Sequence, residues 1–141
     1  MEQTIGDKKK VKNKILLITM ARSSYLAADA LGQMHINYPS DVYVIKTLYP
    51  GILPSYFYLD SFDKGIDGII IAAAGADCPI EESYKQLSEN IRICHAKMTE
   101  KKQNVKRLRL TAICSVCTNA LLKEINMMSE FINKEKKEGR L

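Results

Sequence analysis

The feature that most constrains the fold of this chain is its regular alternation of strand-like and helix-like segments. Four runs, KILLIT, VYVIKTL, DGIIIAAAGA and KRLRLTAIC, have the length and apolar character of strands in a buried sheet. After each run, apolar residues recur every three or four positions, as they do on one face of a helix. The order βαβαβαβα predicts a parallel sheet with helices on both faces, joined by right-handed crossovers.

The specific prediction is an α/β fold, a single flavodoxin-like layer whose four-stranded parallel sheet has the order 2-1-3-4. We expect a flexible basic tail over residues 1–13, one domain over 14–134 and a charged C-terminal tail over 135–141. Apolar positions in the strands are expected to form the sheet core. These positions are Leu16, Ile18, Val44, Ile69, Ile71 and Leu110.

The composition of the 141 residues argues against several classes of function. No apolar run reaches the roughly 20 residues that a membrane span requires, and the N-terminal segment lacks the apolar core of a signal peptide. We therefore predict a cytoplasmic protein without membrane contact, whose thiols stay reduced and form no structural disulfide. The net charge of +5 comes largely from lysines near both ends, without interleaved aromatic residues, so no nucleic-acid partner is predicted.

Three of the four cysteines follow strand-like runs. Cys78 follows the third run, and Cys114 and Cys117 follow the fourth as a CxxC motif. In open parallel sheets the functional crevice lies beyond the carboxyl ends of the strands, so these three thiols are expected to lie close together there. Cys94 instead lies on the apolar stripe of the third helix-like segment, where a thiol acts as a small hydrophobe. We predict that Cys94 is buried and dispensable for thiol chemistry.

The chemistry of the other three cysteines stays open at this stage. A closed zinc site requires four ligands, and Cys78, Cys114 and Cys117 supply only three. Thiols at a helix N-terminus are better nucleophiles, which would suit a dithiol relay at Cys114 and Cys117. Alternatively, Cys117 simply begins the apolar stripe of the last helix. No Ser/His/Asp arrangement, phosphate-binding loop or dinucleotide motif is recognisable, so no catalytic residue is predicted.

Several motifs together resemble those of one protein family. The first helix-like segment contains SYLAAD, YP precedes the second strand, and a Gly follows that strand. FDKGIDGIIIA leads into the third strand, GADCPIEESYK follows it, and RLRL lies in the fourth. From Lys14 to about Lys134, the chain is similar to the delta subunit of methyl-viologen-reducing hydrogenase, a small iron–sulfur protein. The most specific part is F-x-K-G-x-D-G before the third strand combined with G-x-D-C and Y-K after it.

The resemblance implies a 2Fe-2S cluster that passes electrons between a hydrogenase or formate dehydrogenase and a heterodisulfide reductase. It also implies that cysteines in the loops after the first three strands hold this cluster. In this chain the corresponding positions carry other residues, namely Thr19, Met20, Ser23, Tyr49 and Ala73. Cys78 alone keeps a thiol, whereas such a cluster needs about four thiolate ligands.

We therefore expect a small adaptor or electron-transfer accessory subunit of an anaerobic redox complex, of the type that serves methanogenesis, without independent enzymatic activity. Its protein partners would be heterodisulfide reductase-like, hydrogenase-like or formate dehydrogenase-like subunits. The expected state has no cofactor, because the usual cluster is lost. The alternative is a metal or iron–sulfur carrier, or a dithiol relay, with 2Fe-2S or zinc at a relocated site formed by Cys78, Cys114 and Cys117.

Overall fold

The computed structural model describes residues 13–33, 42–74 and 83–141, and its four strands form one all-parallel sheet. The strands are β1 (Ile15–Met20), β2 (Val42–Thr47), β3 (Gly68–Ala73) and β4 (Leu108–Ala112). Their order is β2-β1-β3-β4. The predicted α/β fold class and strand order are therefore confirmed.

Within the described ranges, four helices alternate with the strands. They are α1 (Ser24–Gln33), α2 (Ser55–Asp63), α3 (Ser83–Glu100) and α4 (Thr118–Lys137). Short 3-10 turns precede α2 at Pro50–Ile52 and β4 at Val105–Arg107. Among the described helices, none is both long and apolar enough to cross a membrane.

The two central strands, β1 and β3, separate two apolar clusters. Side chains alternate between the faces of a strand, so Ile69 and Ile71 point to one side and Ile70 to the other. On the first side they pack with buried residues of α2 and α3. On the second side they pack with buried residues of α1 and α4. Coverage on both faces explains why these strands are apolar almost throughout.

Most of the predicted sheet core is buried as expected. Three residues are fully buried, namely Ile18, Ile69 and Ile71. Leu16 and Leu110 are partly buried and pack against the same cluster. The prediction for Val44 is wrong, because its side chain is 37% exposed. Val44 lies on β2, which among the described strands pairs with β1 alone, so its apolar sequence did not guarantee burial.

At the amino end of the sheet, where the strands begin, Asp67 contacts three other parts of the chain. Its carboxylate accepts hydrogen bonds from the backbone N–H of Lys14 (2.9 Å) and from Lys136 Nζ (2.8 Å). Its carbonyl accepts one from Arg107 Nε (2.8 Å). The Arg107 guanidinium also lies 4.6 Å from the centre of the Phe62 ring. Asp67 therefore connects the starts of β1 and β4 with the end of α4.

Two positions of the KGIDG stretch favour glycine for different structural reasons. Gly65 follows the end of α2 with φ of +101°, a conformation that favours glycine. Gly68 begins β3 beneath α4, and a Cβ there would lie 2.7 Å from Ile132 Cδ1 and 2.8 Å from Met128 Sδ. The motif that carries the family resemblance is thus largely a set of packing and turn positions.

The two outermost described elements meet at the same end of the sheet. Asn13, just before β1, donates from Nδ2 to Oδ1 of Asn133 in α4 (2.6 Å). The predicted boundary of the C-terminal tail, at residue 135, falls inside α4, where Glu135 is buried and accepts hydrogen bonds from Arg140 (2.8 Å). Residues 1–12 of the predicted N-terminal tail lie outside the described residues.

Candidate functional site

At the carboxyl end of the sheet, where the strands finish, hydroxyl groups join β1 to β2. Thr19 Oγ1 donates to the carbonyl of Ile45 (2.9 Å), and Thr47 Oγ1 donates to the carbonyl of Thr19 (2.7 Å). Thr19 is fully buried. Both hydroxyl groups therefore donate hydrogen bonds within the fold. They lie in the part of the sheet where the family resemblance implies a cluster ligand.

The turn from β1 into α1 is closed by a third hydroxyl. Ser24 Oγ accepts a hydrogen bond from the N–H of Met20 (2.8 Å) and donates to the carbonyl of Ala72 in β3 (2.6 Å). Ser23 is also buried, and its Oγ has no hydrogen-bond partner among the described residues. The three family ligand positions in this turn thus carry a bonded hydroxyl, a buried thioether and a buried serine.

Tyr49 occupies the family ligand position after β2. Its hydroxyl donates to the carbonyl of Ser83 at the start of α3 (2.7 Å). A Cβ at Gly51 would overlap the Tyr49 ring, so glycine there leaves room for this orientation. Ala73, the position after β3, is buried and accepts a hydrogen bond through its carbonyl from the N–H of Ile113 (2.9 Å).

Cys114 and Cys117 form a disulfide in the loop between β4 and α4. Their Cα atoms are 5.1 Å apart, and the Cys117 N–H donates to the Cys114 carbonyl (3.2 Å), which closes a tight turn. The expectation that no disulfide forms is therefore wrong for this pair. The turn brings the two Cβ atoms within bonding range, a local geometry that composition does not reveal.

Cys94 lies where the sequence predicts. It is fully buried in the cluster between the sheet and the helices α2 and α3. Its thiol donates to the carbonyl of Ser55 (3.7 Å), and burial raises the pKa of the thiol. Tyr58 lies in the same cluster, where burial likewise raises the pKa of its hydroxyl. These features fit a residue of the core.

Cys78 lies outside the described residues, so the proposed clustering of Cys78 with Cys114 and Cys117 stays a prediction. Within residues 13–33, 42–74 and 83–141, no group of three or more His, Cys, Asp or Glu side chains is arranged to hold a metal ion. A metal at Cys114 and Cys117 would also require reduction of their disulfide, because metals bind thiolates.

A groove of about 760 Å³ at the free edge of β4 escaped the sequence-based reasoning. Residues of α3 and α4 form its two walls, and the 3-10 turn and β4 lie between them. Apolar side chains contribute much of the lining, and Met127 of α4 is 44% exposed. The sequence signal was weak, because Met127 stands among charged residues of α4, with Lys123 and Glu124 before it and Glu130 after it.

The backbone of β4 presents hydrogen-bonding groups to this groove. His95 of α3 donates from Nε2 to the carbonyl of Leu108 (2.8 Å), so this carbonyl points away from β3. Ile113, five residues later, donates its N–H to β3. Since backbone groups alternate in direction along a strand, the N–H and C=O groups of Leu110 and Ala112 point toward the free edge.

The groove has a basic rim. In the part of the chain that the structure describes, its charged lining residues are one carboxylate and three cations, namely Glu89, Arg92, Lys106 and Arg109. Arg92 pairs with Glu89 on α3, and Arg109 pairs with Glu124 of α4. Lys106 has no ion pair among the described residues.

The fold and the carboxyl end of the sheet together define a class: a small doubly wound α/β domain without a recognisable catalytic set among its described residues. A sequence model of the family "methyl-viologen-reducing hydrogenase, delta subunit" matches residues 15–134. The chain therefore belongs to this family. Membership indicates an accessory role like that of the hydrogenase delta subunit, within a multi-subunit redox complex.

The described residues at the family's ligand positions do not fit the 2Fe-2S cluster that the resemblance implies. Two of them, Thr19 and Tyr49, donate their hydroxyl protons to backbone carbonyls. The remaining side chains are a thioether, a serine hydroxyl and a methyl group, at Met20, Ser23 and Ala73. Iron–sulfur clusters are held mainly by cysteine thiolates, and none of these positions supplies one.

Proposed function

We propose that this protein is a non-catalytic adaptor subunit of an anaerobic redox complex and works without the family's usual cluster. The observation that carries the proposal is the contrast between a matching family scaffold and ligand positions filled by hydrogen-bonded hydroxyls and a buried alanine. A docking subunit needs the scaffold and a surface, whereas an electron carrier also needs a redox centre.

The metal content of the protein tests this proposal. Protein purified anaerobically is expected to contain far less than one equivalent of iron and acid-labile sulfide per chain. About two equivalents of each would contradict the proposal, because they would show a 2Fe-2S cluster. Zinc or iron near one equivalent that is lost in Cys78→Ser would instead support the carrier with Cys78, Cys114 and Cys117 as ligands.

The surface that we propose for docking is the groove at the free edge of β4. Its occupant would be an extended, net-acidic segment of a partner subunit, either heterodisulfide reductase-like or hydrogenase- or formate dehydrogenase-like. The outward N–H and C=O groups of Leu110 and Ala112 can pair with an added strand. The apolar walls provide contacts for alternate side chains of that strand.

Charge complementarity favours an acidic segment. Among the described residues, three basic side chains and one carboxylate line the groove, and Lys106, which has no ion pair with any of them, lies just before β4. Basic and acidic surfaces attract each other over a distance and increase the rate of encounter. A basic segment would meet net repulsion at the same rim.

Two variants that each place a glutamate at an exposed apolar position test the docking surface. Met127→Glu places a carboxylate in the groove, and Leu26→Glu places one on α1, at a residue of similar exposure (44% and 48%). We expect Met127→Glu to weaken binding of a purified partner subunit by about tenfold or more, and Leu26→Glu to change it less than twofold. Isothermal titration calorimetry measures both. Equal effects of the two variants, or none, would contradict docking in the groove.

A further inference from the structure

The disulfide between Cys114 and Cys117 joins two sulfurs in different surroundings. Cys114 is exposed and lies in the loop just after β4. Cys117 is half-buried, packs against the cluster beneath α1 and α4, and immediately precedes α4. We propose that this pair is a thiol–disulfide exchange site in which Cys114 is the sulfur attacked and Cys117 is the leaving group. This proposal does not rest on the adaptor role.

Access selects the sulfur that is attacked. Thiol–disulfide exchange requires an incoming thiolate to reach one sulfur in line with the S–S bond. The exposed Cys114 allows this approach, whereas the apolar contacts of Cys117 obstruct it. Val116, between the two cysteines, is 83% exposed and offers an apolar contact to the approaching partner.

The N-terminus of α4 favours departure of Cys117. This helix has 20 residues, and its first turn contains no acidic side chain. The first N–H groups of a helix have no intrahelical partner and carry a partial positive charge, which stabilises an anion at the N-cap. Cys117 is the N-cap residue. A thiol that is a more stable thiolate leaves faster from a disulfide.

Within the segment that contains the pair, no charged side chain opposes the partial positive charge at the start of α4. From Ala112 to Leu122 no residue carries a charge. The nearest partner surface is therefore expected to be uncharged, and the chemical class that fits is a protein with two neighbouring thiols exposed on an apolar surface. Repulsion by a local carboxylate would slow the approach of a thiolate, and this segment provides none.

The exchange balances in two steps. A thiolate of the partner attacks Cys114 Sγ and forms a mixed disulfide, while the S–S bond breaks and its electron pair stays on Cys117 Sγ. The second thiolate of the partner then attacks the partner's own sulfur in the mixed disulfide and releases Cys114 as a thiolate. The two protons lost by the partner's thiols are available to Cys114 and Cys117. Two electrons pass from the partner dithiol to this protein.

A trapping experiment tests the assignment of the two sulfurs. Oxidised protein is treated briefly with reduced glutathione, quenched with an alkylating agent and mapped by mass spectrometry. We expect at least tenfold more glutathione on Cys114 than on Cys117, with the alkyl label on Cys117. Equal amounts on both, or more on Cys117, would overturn the assignment. A pair that reacts with glutathione only after the protein unfolds would overturn the exchange site itself.

A matched pair of variants tests the contribution of α4. Asn119→Asp adds a carboxylate to the first turn, and Asn126→Asp makes the same change at an exposed site two turns later. Reduction of the disulfide by dithiothreitol is expected to slow roughly two- to fivefold in Asn119→Asp and to stay within the error in Asn126→Asp. Equal rates in both variants would contradict the role of the helix. Because each assay follows the disulfide, its outcome is independent of partner binding and of the iron content.

Discussion

The two ends of the sheet differ in the kinds of interaction that their residues make. At the amino end, Asp67, Arg107 and Phe62 connect separate elements through charged hydrogen bonds and a cation–ring contact. At the carboxyl end, uncharged hydroxyl groups make the links between elements, and the disulfide closes a turn of four residues. The family motif FDKGIDG lies at the first end, and the replaced ligand positions lie at the second.

This difference shows that some residues in a family's sequence motifs are determined by the fold, whereas others are determined by the chemistry of the site. The positions Phe62, Gly65, Asp67 and Gly68 are restricted by packing, turn geometry and backbone contacts. A chain can keep all of these while its site changes, because in doubly wound sheets the chemistry lies at the carboxyl end. A match over these residues therefore establishes the scaffold before it establishes a cofactor.

The largest expected effect is that of Phe62→Ala at the amino end. Phe62 is only 6% exposed, and the substitution leaves a cavity beneath Arg107. We expect the free energy of unfolding to fall by about 3–4 kcal/mol. Urea denaturation measures the change, and Ile52→Ala, at a 68% exposed residue, is the control with little expected loss. A loss below about 1 kcal/mol for Phe62→Ala would contradict the greater stabilising role that we assign to the amino end of the sheet.

Asp67→Ala is expected to have the next largest effect. It removes a partly buried carboxylate that accepts hydrogen bonds from Lys14 and Lys136, and we expect a loss of about 2 kcal/mol. Asp63→Ala is the matched control, because Asp63 pairs with Lys101 at 3.7 Å and both side chains are half exposed. The control should change stability by less than about 0.5 kcal/mol. Equal losses for the two variants would show that Asp67 acts only as a surface charge.

Reduction of the disulfide should destabilise the carboxyl end less than the loss of Phe62 destabilises the amino end. The bond closes a very short loop, so the entropy that it removes from the unfolded chain corresponds to about 1–2 kcal/mol. Urea denaturation with and without dithiothreitol gives the difference, and Cys114→Ser is the control that should show none. If the protein unfolded on reduction, the disulfide would be a structural bond, and this result would contradict the proposed exchange site.

The smallest expected effect is that of Tyr49→Phe, which removes the hydroxyl bonded to the Ser83 carbonyl. We expect a loss of about 1 kcal/mol, since one neutral hydrogen bond is lost. Tyr56→Phe is the control, at a residue 71% exposed in α2. Thermal denaturation of both variants measures the difference. A loss above about 3 kcal/mol for Tyr49→Phe would give this end of the sheet a larger structural role than we assign.

The sequence predicted the parallel α/β fold and the burial of Cys94 because both follow from local periodicity, and the strand order is one of the few that this fold allows. Alternating apolar runs restrict the topology to a few choices, and the stripe of α3 places Cys94 inward. The exposure of Val44 was not predictable in the same way, because strand propensity does not say which strand lies at the edge. Nor was the role of Asp67, whose partner Lys136 lies 69 positions away.

The sequence predicted the position of the candidate site, but it did not predict that Cys114 and Cys117 are joined by a disulfide. The chain order placed Cys114 and Cys117 at the carboxyl end of the sheet, where the structure has them. Their pairing depends on the turn at residues 114–117, a backbone conformation that a CxxC pattern permits but does not require. The groove was missed because it arises from α3 and α4 on either side of an edge strand, and no single segment encodes it.

The contact between Asn13 and Asn133 has a consequence for how the protein is made. These residues are 120 positions apart, and they join the first strand to the last helix. During synthesis β1 leaves the ribosome before α4, whose side chains fill part of the cluster on one face of β1. The nascent chain must therefore wait with apolar surface uncovered, a situation in which chaperones protect against aggregation. Slowing translation should not help this domain to fold, since its native core is complete only after α4 has emerged.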